Sequence, residues 1–207
     1  MSSALYTVIG LPRTRAFRVM WMLEELGQPY EMNPVPPRDA ALAAINPSLK
    51  VPILKDGEEY VIDSIAICQY LADKHKQFTF PAGTIQRAHQ DSFTQFAVDD
   101  VESGLWQASK HTFALPPEYR VEDAKRACKF DFDRAMKTLS IRLGDKAFVM
   151  GEAFTVPDLL LGHCAGWAKA TGWDIPEGNV SAYFARVRGR PAFLTANAKR
   201  EAAAAAA

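Results

Sequence analysis

The chain has 207 residues, and nearly half of them are apolar, which is enough to bury a sizeable core in one large or two small domains. Its 24 basic and 24 acidic residues balance, so no overall positive field favours nucleic acid. No apolar run approaches the roughly 20 residues of a membrane-spanning helix. Residues 1–4 lead directly into a predicted strand rather than a signal peptide. We therefore expect a cytoplasmic protein that binds neither nucleic acid nor membrane.

The first part of the chain predicts a small α/β layer. Residues 4–9 alternate in the manner of a buried strand, and residues 16–26 have the spacing of a helix with one apolar face. That helix ends at Gly27, a residue typical of helix C-termini. A second strand begins at Pro29. The order strand, helix, strand, short helix, strand, strand, helix indicates a thioredoxin-like fold with a right-handed first crossover.

Residues 46–54, with the sequence Asn-Pro-Ser-Leu-Lys-Val-Pro-Ile-Leu, predict a loop that turns into a strand. Pro52 lies at the strand entrance, and a cis Val51–Pro52 bond is one solution, because cis bonds are almost confined to X–Pro. The N–H and C=O of Val51 would then face outward and could pair with a guest peptide as a strand does. The alternative is an edge strand that starts with proline, and these residues alone leave both open.

A hairpin and a helix follow this strand. Residues 55–58 predict a turn in which Gly57 supplies a positive φ, and residues 59–62 predict the return strand. Asp63 is a candidate N-cap for a helix that begins at Ser64. The free N–H groups and positive dipole at this helix end would bind a ligand carboxylate, and Asp63 could accept from a ligand ammonium. Simple helix capping is the alternative.

A linker is predicted over residues 77–84, because Pro81 and Gly83 lie there between two helical patterns. Residues 1–76 then form the α/β domain, and residues 85–207 form an all-helical domain.

The helical half contains one clear start signal. Thr155 and Asp158 form a capping box, in which each side chain accepts from the other's backbone N–H. Pro157 lies in the first turn, where its missing donor costs little. The spacing of apolar residues predicts helices in this half over residues 85–110, 118–142, 157–170 and 181–188, and a last helix from Pro191. The alanine tail at residues 202–207 is expected to fray.

The motifs at residues 46–52, 63–64 and 151–159 occur together in a chain of suitable length. With them the chain resembles the cytosolic glutathione transferases over nearly its whole length, and among these the bacterial-type and theta-like members without a catalytic cysteine in the first turn. The resemblance implies an N-terminal thioredoxin-like α/β domain followed by an all-α C-terminal domain. It also implies a homodimer and a capping box at the start of a buried helix.

The resemblance further implies a glutathione site, with glutathione as co-substrate. The backbone of Val51, next to Pro52, would pair with the cysteinyl residue. Asp63 and Ser64 would hold the γ-glutamyl end, and Lys50 would reach the glycine carboxylate. No metal is expected, because the four histidines have no ligand spacing. The three cysteines are expected to be packed thiols.

The chemistry also requires a residue that activates the thiol of glutathione. Related enzymes use tyrosine, serine or cysteine in the first strand or the turn after it, near a helix end whose dipole lowers a thiol pKa. Thr14 is the only hydroxyl in that turn, and we predict it as the donor with Arg15 as an electrostatic helper. Alternatively, Thr14 is a plain N-cap, Arg13 and Arg15 are solvated charges, or Thr7 on the first strand has the role.

An apolar pocket for a small-molecule electrophile is predicted from Phe93, Phe96 and Trp106. The alternative is that this aromatic stripe at helical spacing belongs to the core. Three functions remain open: conjugation of glutathione to small hydrophobic electrophiles, a glutathione-dependent peroxidase, reductase or isomerase reaction at the same site, and a non-catalytic binding protein that kept the fold.

Overall fold

The computed structural model describes residues 6–206, so Ala4 and Leu5 of the predicted first strand lie outside the described residues. The chain forms two compact units. One contains the residues up to Thr79 together with those from Gly189 onward, and the other contains Phe80–Arg188. Among the described residues, none of the helices combines the length and the apolar character needed to cross a membrane.

A four-stranded sheet lies in the first unit. Its strands are β1 (Tyr6–Ile9), β2 (Tyr30–Asn33), β3 (Ile53–Asp56) and β4 (Glu59–Ile62), in the order β2-β1-β3-β4. β1 and β2 are parallel, whereas β3 is antiparallel to both of its neighbours. The turn between β3 and β4 contains Gly57 with a φ of 62°, as predicted. This mixed sheet confirms the thioredoxin-like fold.

Within residues 6–206 there are eight α-helices. They are α1 (Ala16–Glu25), α2 (Ser64–His75), α3 (Ile85–Gln95), α4 (Ser103–Ser109), α5 (Ala124–Leu143), α6 (Val156–Ala170), α7 (Asn179–Arg188) and α8 (Pro191–Ala205). A short 3₁₀ turn, Ala40–Leu42, stands where the short helix is predicted. The helices α1, α2 and α8 belong to the first unit, and α3 to α7 form the second. A helical second half is confirmed.

Helix α1 lies at the centre of the first unit. Its residues 16–23 are all buried, because the helix contacts β1, α2 and α8. Trp21 of α1 meets Phe193 of α8 edge to face, with ring centroids 4.9 Å apart. Arg190, just before α8, donates from Nε to Glu25 Oε1 at 2.7 Å. Apolar and ionic contacts thus fasten α8 to α1.

The place of α8 differs from the predicted division of the chain. The prediction assigns residues 85–207 to the helical domain, whereas the residues from Gly189 onward pack with the first unit. The physical reason is that α8 covers apolar surface of α1 that the sheet and α2 leave open. The alanine tail also differs from its prediction, since it is helical as far as Ala205.

The long helix predicted over residues 85–110 is present but not uniform. Helical backbone continues from Ile85 to Ala114, and it widens into π turns over Phe96–Glu102 and Lys110–Ala114. A π turn closes an i to i+5 hydrogen bond instead of i to i+4. It therefore rotates the side chains that follow away from the faces that a 3.6-residue period assigns to them.

The second long helix begins later than predicted. Pro117–Tyr119 forms a 3₁₀ turn and Arg120 is extended, so α5 starts at Ala124 rather than at residue 118. The adjacent Pro116 is extended as well. Proline lacks the backbone donor that a helix requires and disfavours helical backbone in the residue before it, which keeps this segment out of the helix.

Helix α6 begins at the predicted capping box, which is confirmed. The N–H and the hydroxyl of Thr155 donate to Asp158 Oδ2 at 2.8 and 2.9 Å. The Val149 N–H and the Tyr183 hydroxyl each donate to Oδ1 at 2.9 Å. Burial raises the pKa of the Asp158 carboxyl, although these hydrogen bonds act in the opposite direction. The carboxylate thus joins the start of α6 to the preceding loop and to α7.

Candidate functional site

The loop before β3 is organised by the buried side chain of Asn46. Its Nδ2 donates to the Lys50 carbonyl at 2.9 Å. Its Oδ1 accepts from the N–H and the hydroxyl of Ser48, at 3.2 and 2.8 Å. These bonds fix the residues between the two ends of the loop and leave the Lys50 side chain exposed just before Val51.

The backbone of Val51 forms an edge next to β3. The Val51–Pro52 peptide bond is cis, which is the first of the two possibilities that the sequence leaves open. Within the described part of the chain, neither the N–H nor the C=O of Val51 forms a backbone hydrogen bond. Since Ile53 pairs with Ile62, the adjoining residues Pro52 and Asp63 lie at the same end of the β3–β4 hairpin. The Val51 edge and Asp63, which the sequence predicts as two parts of one site, therefore lie next to each other.

Gly10 brings the first turn against Val51. It follows β1 with a φ of 143°, and a Cβ at this position would lie 3.1 Å from the Cβ atoms of both Ala16 and Val51. Space and backbone conformation both require glycine here. The start of α1 and the Val51 edge consequently face each other across a single glycine.

Thr14, the predicted thiol activator, lies in this first turn. Its hydroxyl donates to the Leu11 carbonyl at 2.7 Å and accepts from the Ala16 N–H at 3.2 Å. The hydroxyl therefore makes two local hydrogen bonds across the turn and the start of α1, and its single proton already has an acceptor. Arg15 is half-buried at the N-cap position of α1. Donation from Thr14 to a sulfur atom requires that the hydrogen bond to Leu11 be exchanged.

The start of α2 places its two predicted residues in different surroundings. Asp63 is exposed with a φ of 72°, and its Oδ1 accepts from the N–H groups of Ile65 and Ala66 at 2.9 and 3.2 Å. Ser64 is only 3% exposed, and its Oγ accepts from Arg18 Nη1 at 3.2 Å. Asp63 thus meets solvent, whereas the Ser64 hydroxyl is turned toward α1.

The first strand carries two hydroxyl residues, Tyr6 and the alternative candidate Thr7, and both lie outside this turn. Tyr6 is buried, and its hydroxyl is 2.8 Å from His75 Nε2 at the C-terminal end of α2. Thr7 is half-buried and pairs with Lys55 of β3. Successive strand residues alternate between the faces of a sheet. Tyr6 and Thr7 therefore lie on opposite faces.

The predicted substrate-pocket residues fall into two clusters within the second unit. Phe93 and Phe96 are buried, and the Arg142 guanidinium lies 3.9 and 5.0 Å from their ring centroids. Trp106 is half-buried and meets Trp167, with ring centroids 6.3 Å apart. The two phenylalanines are thus core side chains next to a cation. Of the three predicted residues, Trp106 has the most exposed surface.

Cys68 on α2 is fully buried, and burial raises the pKa of its thiol to about 12. Such a thiol carries little thiolate near neutral pH and is a poor nucleophile. Among residues 6–206, no group of three or more His, Cys, Asp or Glu side chains is placed to hold a metal ion.

Two residues of the site, Asn46 and Arg18, received no role from the sequence alone. Asn46 lies in the quoted motif, and only the structure identifies it as the residue that shapes the loop. Arg18 lies between Phe17 and Val19 in the wholly buried part of α1. A charged residue within such an apolar run is the signal that could have drawn attention to it, because charged residues are almost never fully buried without a partner.

Known proteins are similar to this chain. Residues 15–79 match the family described as glutathione S-transferase, N-terminal domain. Glutathione S-transferase theta-1 from Bos taurus is 30% identical over 143 residues, which are 64% of this chain and 60% of that protein. The chain is thus similar to glutathione S-transferases, and residues 15–79 resemble their N-terminal domain. It spans 60% of the length of this bovine relative.

Solved structures of glutathione transferases have the same fold. A glutathione transferase from Phanerochaete chrysosporium, in complex with oxidized glutathione, has a TM-score of 0.82 at 22% identity, covering 98% of this chain and 100% of that chain. The theta class glutathione S-transferase from Xanthomonas axonopodis pv. citri, with glutathione bound, has a TM-score of 0.77 at 22% identity, covering 93% and 97%.

Proposed function

We propose that this chain is a glutathione S-transferase that conjugates the thiolate of glutathione to small hydrophobic electrophiles. The observation that supports this most is the Val51 edge. Its N–H and C=O have no backbone partner among the described residues, and it lies against Gly10 in the first turn and at the Asp63 end of the hairpin. An extended peptide can add to such an edge through strand-like hydrogen bonds.

In the proposed complex, the charges at the two ends of glutathione set its direction. The cysteinyl residue pairs with the Val51 backbone next to Pro52. The γ-glutamyl carboxylate accepts from the N–H of Ser64 at the start of α2, where the helix dipole is positive, and the Ser64 hydroxyl donates to it as well. The ammonium donates to Asp63, and the exposed Lys50 pairs with the glycine carboxylate. The thiol then lies toward the start of α1.

The start of α1 supports thiol activation by Thr14 and Arg15. The helix dipole and the half-buried Arg15 guanidinium both favour a thiolate over a thiol. Thr14 donates to the sulfur once its bond to Leu11 is exchanged. The thiolate then attacks the electrophilic carbon, a C–S bond forms, the leaving group departs with its electron pair, and the thiol proton passes to solvent.

For the electrophile we propose contact with the aromatic residues Phe93, Phe96 and Trp106. Trp106 is the strongest of these, because it retains exposed surface while the two phenylalanines are covered in their own unit. Trp106→Ala should raise KM for a large aromatic electrophile more than KM for a small one. Equal changes for both would remove Trp106 from the pocket.

The test of the proposed function combines calorimetry with kinetics. The chain should bind glutathione and should turn over 1-chloro-2,4-dinitrobenzene. Thr14→Val keeps the shape and removes the donor, so kcat should fall roughly 10²-fold, by analogy with the loss of one donor to an oxyanion, with little change in glutathione affinity. If Thr14→Val keeps full activity, the activator lies elsewhere, and Arg15→Ala and then Thr7→Val are the next variants.

One observation favours a second candidate, a non-catalytic protein that binds glutathione. The proton of the Thr14 hydroxyl is already donated to the Leu11 carbonyl. If the chain binds glutathione but converts neither electrophiles nor organic peroxides in a panel assay, this second candidate replaces the first. Turnover of peroxides alone would instead indicate the peroxidase reaction.

We also propose that the chain forms a homodimer. In the first unit Tyr60, Ile62 and Tyr70 are exposed by 42%, 43% and 36%. Leu71, which the sequence places beside Tyr70, is fully buried in its own unit and offers no contact surface. Sedimentation should give the mass of two chains at micromolar concentration, and Ile62→Lys should shift it toward one chain. A parent chain that sediments as a monomer would contradict the proposal.

A further inference from the structure

Arg18 is a fully buried arginine that contacts two residues of α2, Ser64 and Cys68. It lies on α1 with no exposed surface. Its Nη1 donates to Ser64 Oγ at 3.2 Å, and its backbone carbonyl accepts from the Cys68 thiol at 3.7 Å. Ser64 and Cys68 are four residues apart, so they lie on the same face of α2. The face of α2 that carries Ser64 and Cys68 therefore packs against Arg18.

The direction of this hydrogen bond determines what the Ser64 hydroxyl can do. A hydroxyl has one proton to donate and two lone pairs with which it accepts. Because Arg18 Nη1 donates to one lone pair, the Ser64 proton must be donated to a different group. The guanidinium also polarises the O–H bond, which strengthens its donation to an anion. Ser64 begins α2, where the backbone N–H groups already favour an anion.

The charge of Arg18 reaches beyond Ser64. The Cys68 thiol experiences both the Arg18 guanidinium, which lowers its pKa, and Asp63, which raises it, although burial has the larger effect. The positive charge therefore adds to the helix dipole at the start of α2 without being exposed to solvent, and salt screens buried charges much less than exposed ones.

We propose that Arg18 is a positioning residue for the α-carboxylate of the γ-glutamyl group. It holds the Ser64 hydroxyl so that its proton points to the ligand carboxylate, and it adds buried positive charge behind that contact. Arg18 does not touch the ligand and acts through Ser64. The inference rests on the proposed glutathione site. It makes Arg18 a determinant of specificity for ligands with a carboxylate at this position.

The test measures a ratio of affinities rather than one affinity. Calorimetry gives Kd for glutathione and for γ-aminobutyryl-cysteinyl-glycine, which lacks only the α-carboxylate. The Kd of the analogue divided by the Kd of glutathione, called the Kd ratio below, reports the carboxylate contact. A general loss of structure would weaken the binding of both ligands alike and leave this ratio unchanged. The variants are Arg18→Met, Arg18→Lys, Ser64→Ala and the double variant with Arg18→Met and Ser64→Ala. Arg126→Met, which removes a cation whose side chain is 86% exposed, is the matched control.

The parent should bind glutathione more tightly than the analogue, so its Kd ratio should exceed one. Arg18→Met should lower this ratio about tenfold, which is the change in affinity expected from the loss of one hydrogen bond to a charged group. Arg18→Lys keeps the charge and should restore part of the ratio. Ser64→Ala should lower it as Arg18→Met does, and the double variant should lower it no further. Arg126→Met should leave it unchanged.

Three results would overturn the inference. In the first, Arg18→Met weakens both ligands equally, which makes Arg18 purely structural. In the second, Arg18→Met lowers the ratio further in the Ser64→Ala background, which means that Arg18 acts without Ser64. In the third, Ser64→Ala leaves the ratio unchanged, which means that the Ser64 hydroxyl does not contact the ligand carboxylate. This third result contradicts the inference even if circular dichroism shows that Arg18→Met is unfolded. A parent chain that binds no glutathione overturns the proposed function itself, whereas the other three results leave glutathione binding intact.

Discussion

Two aspartates at helix N-termini use the same capping chemistry in opposite ways. Asp158 of α6 is fully buried, and each of its carboxylate oxygens accepts two hydrogen bonds from the protein. Asp63 before α2 is exposed, and only its Oδ1 accepts, from two backbone N–H groups. Within the described residues, Asp63 Oδ2 accepts no hydrogen bond from the protein.

The difference indicates which aspartate serves folding and which is available to a ligand. The acceptor capacity of Asp158 is used entirely by its own unit, so this residue has a structural role. Asp63 caps its helix with one oxygen, and its other oxygen has room to accept from a donor outside the chain. A capping residue with unused acceptor capacity on an exposed surface is therefore a better candidate for ligand binding than a buried one whose partners are complete.

The largest effect that follows from this comparison is expected at Asp158. Asp158→Ala removes the acceptor of Val149, Tyr183 and Thr155 in a buried site, so the free energy of unfolding should fall by about 3–5 kcal/mol. Asp158→Asn keeps one acceptor oxygen and should cost less. Urea denaturation followed by circular dichroism measures both. Equal midpoints for the Ala variant and the parent would contradict the structural role of this carboxylate.

Asp63 should affect binding more than folding. Asp63→Asn keeps an acceptor for the N–H groups of Ile65 and Ala66, and asparagine caps helices about as well as aspartate, so stability should be unchanged. The loss of the charge opposite the ligand ammonium should weaken glutathione binding by about 1.5–3 kcal/mol. Calorimetry and a melting curve on the same sample test this.

Asp63→Ala is the companion variant, because it removes the cap and the charge together. It should lose the same binding energy and, in addition, about 1 kcal/mol of stability. If Asp63→Asn binds glutathione as tightly as the parent, Asp63 is a cap only, and the contrast with Asp158 disappears.

A smaller effect is expected from Thr155, the partner of Asp158 in the capping box. Thr155→Ala should lower the free energy of unfolding by about 1 kcal/mol, because one cap is lost while Asp158 keeps its other donors. Glutathione affinity should not change, since Thr155 is far from the proposed ligand contacts along the chain and serves the start of α6. Thermal denaturation measures the effect, and identical melting temperatures would count against the capping role.

The smallest effect concerns His75 at the other end of the helix that Asp63 caps. Burial, and then the charge of Lys74, lower the pKa of His75 below its usual 6.5, and Tyr6 lies at hydrogen-bond distance. The folded state therefore protonates the His75 ring less readily than the unfolded state does. The contribution of His75 to the free energy of unfolding is full above pH 6.5 and is lost as the pH falls toward the lowered pKa of the folded state.

The matched variant is His75→Gln, which keeps an acceptor for the Tyr6 hydroxyl and does not titrate. When the pH is lowered from above 6.5 to below it, the free energy of unfolding of this variant should fall less than that of the parent. Glutathione affinity at the Asp63 end of the helix should show no matching difference. If the parent and the variant lose stability in parallel, His75 does not contribute to the pH dependence.

The sequence by itself determined the order of strands and helices, the Gly57 turn, the Asp63 cap and the capping box of α6. These features depend on interactions between residues a few positions apart, which periodicity and capping preferences describe. The fold followed from them, because few arrangements of this element order satisfy the rules of strand connection. The position of the candidate site followed from the same local motifs, and glutathione as its ligand followed from the resemblance to the glutathione transferases. The structure places the Val51 and Asp63 elements of this site side by side.

Only the tertiary structure decided the contacts between distant parts of the chain. The Arg18 contact with Ser64 joins residues 46 positions apart, and the Arg190 contact with Glu25 joins residues 165 positions apart. No local pattern encodes such a pair, because it depends on which surfaces remain open after the elements form. The π turns that rotate the aromatic stripe have the same origin, since packing between helices can override the intrinsic 3.6-residue period that sequence reasoning assumes.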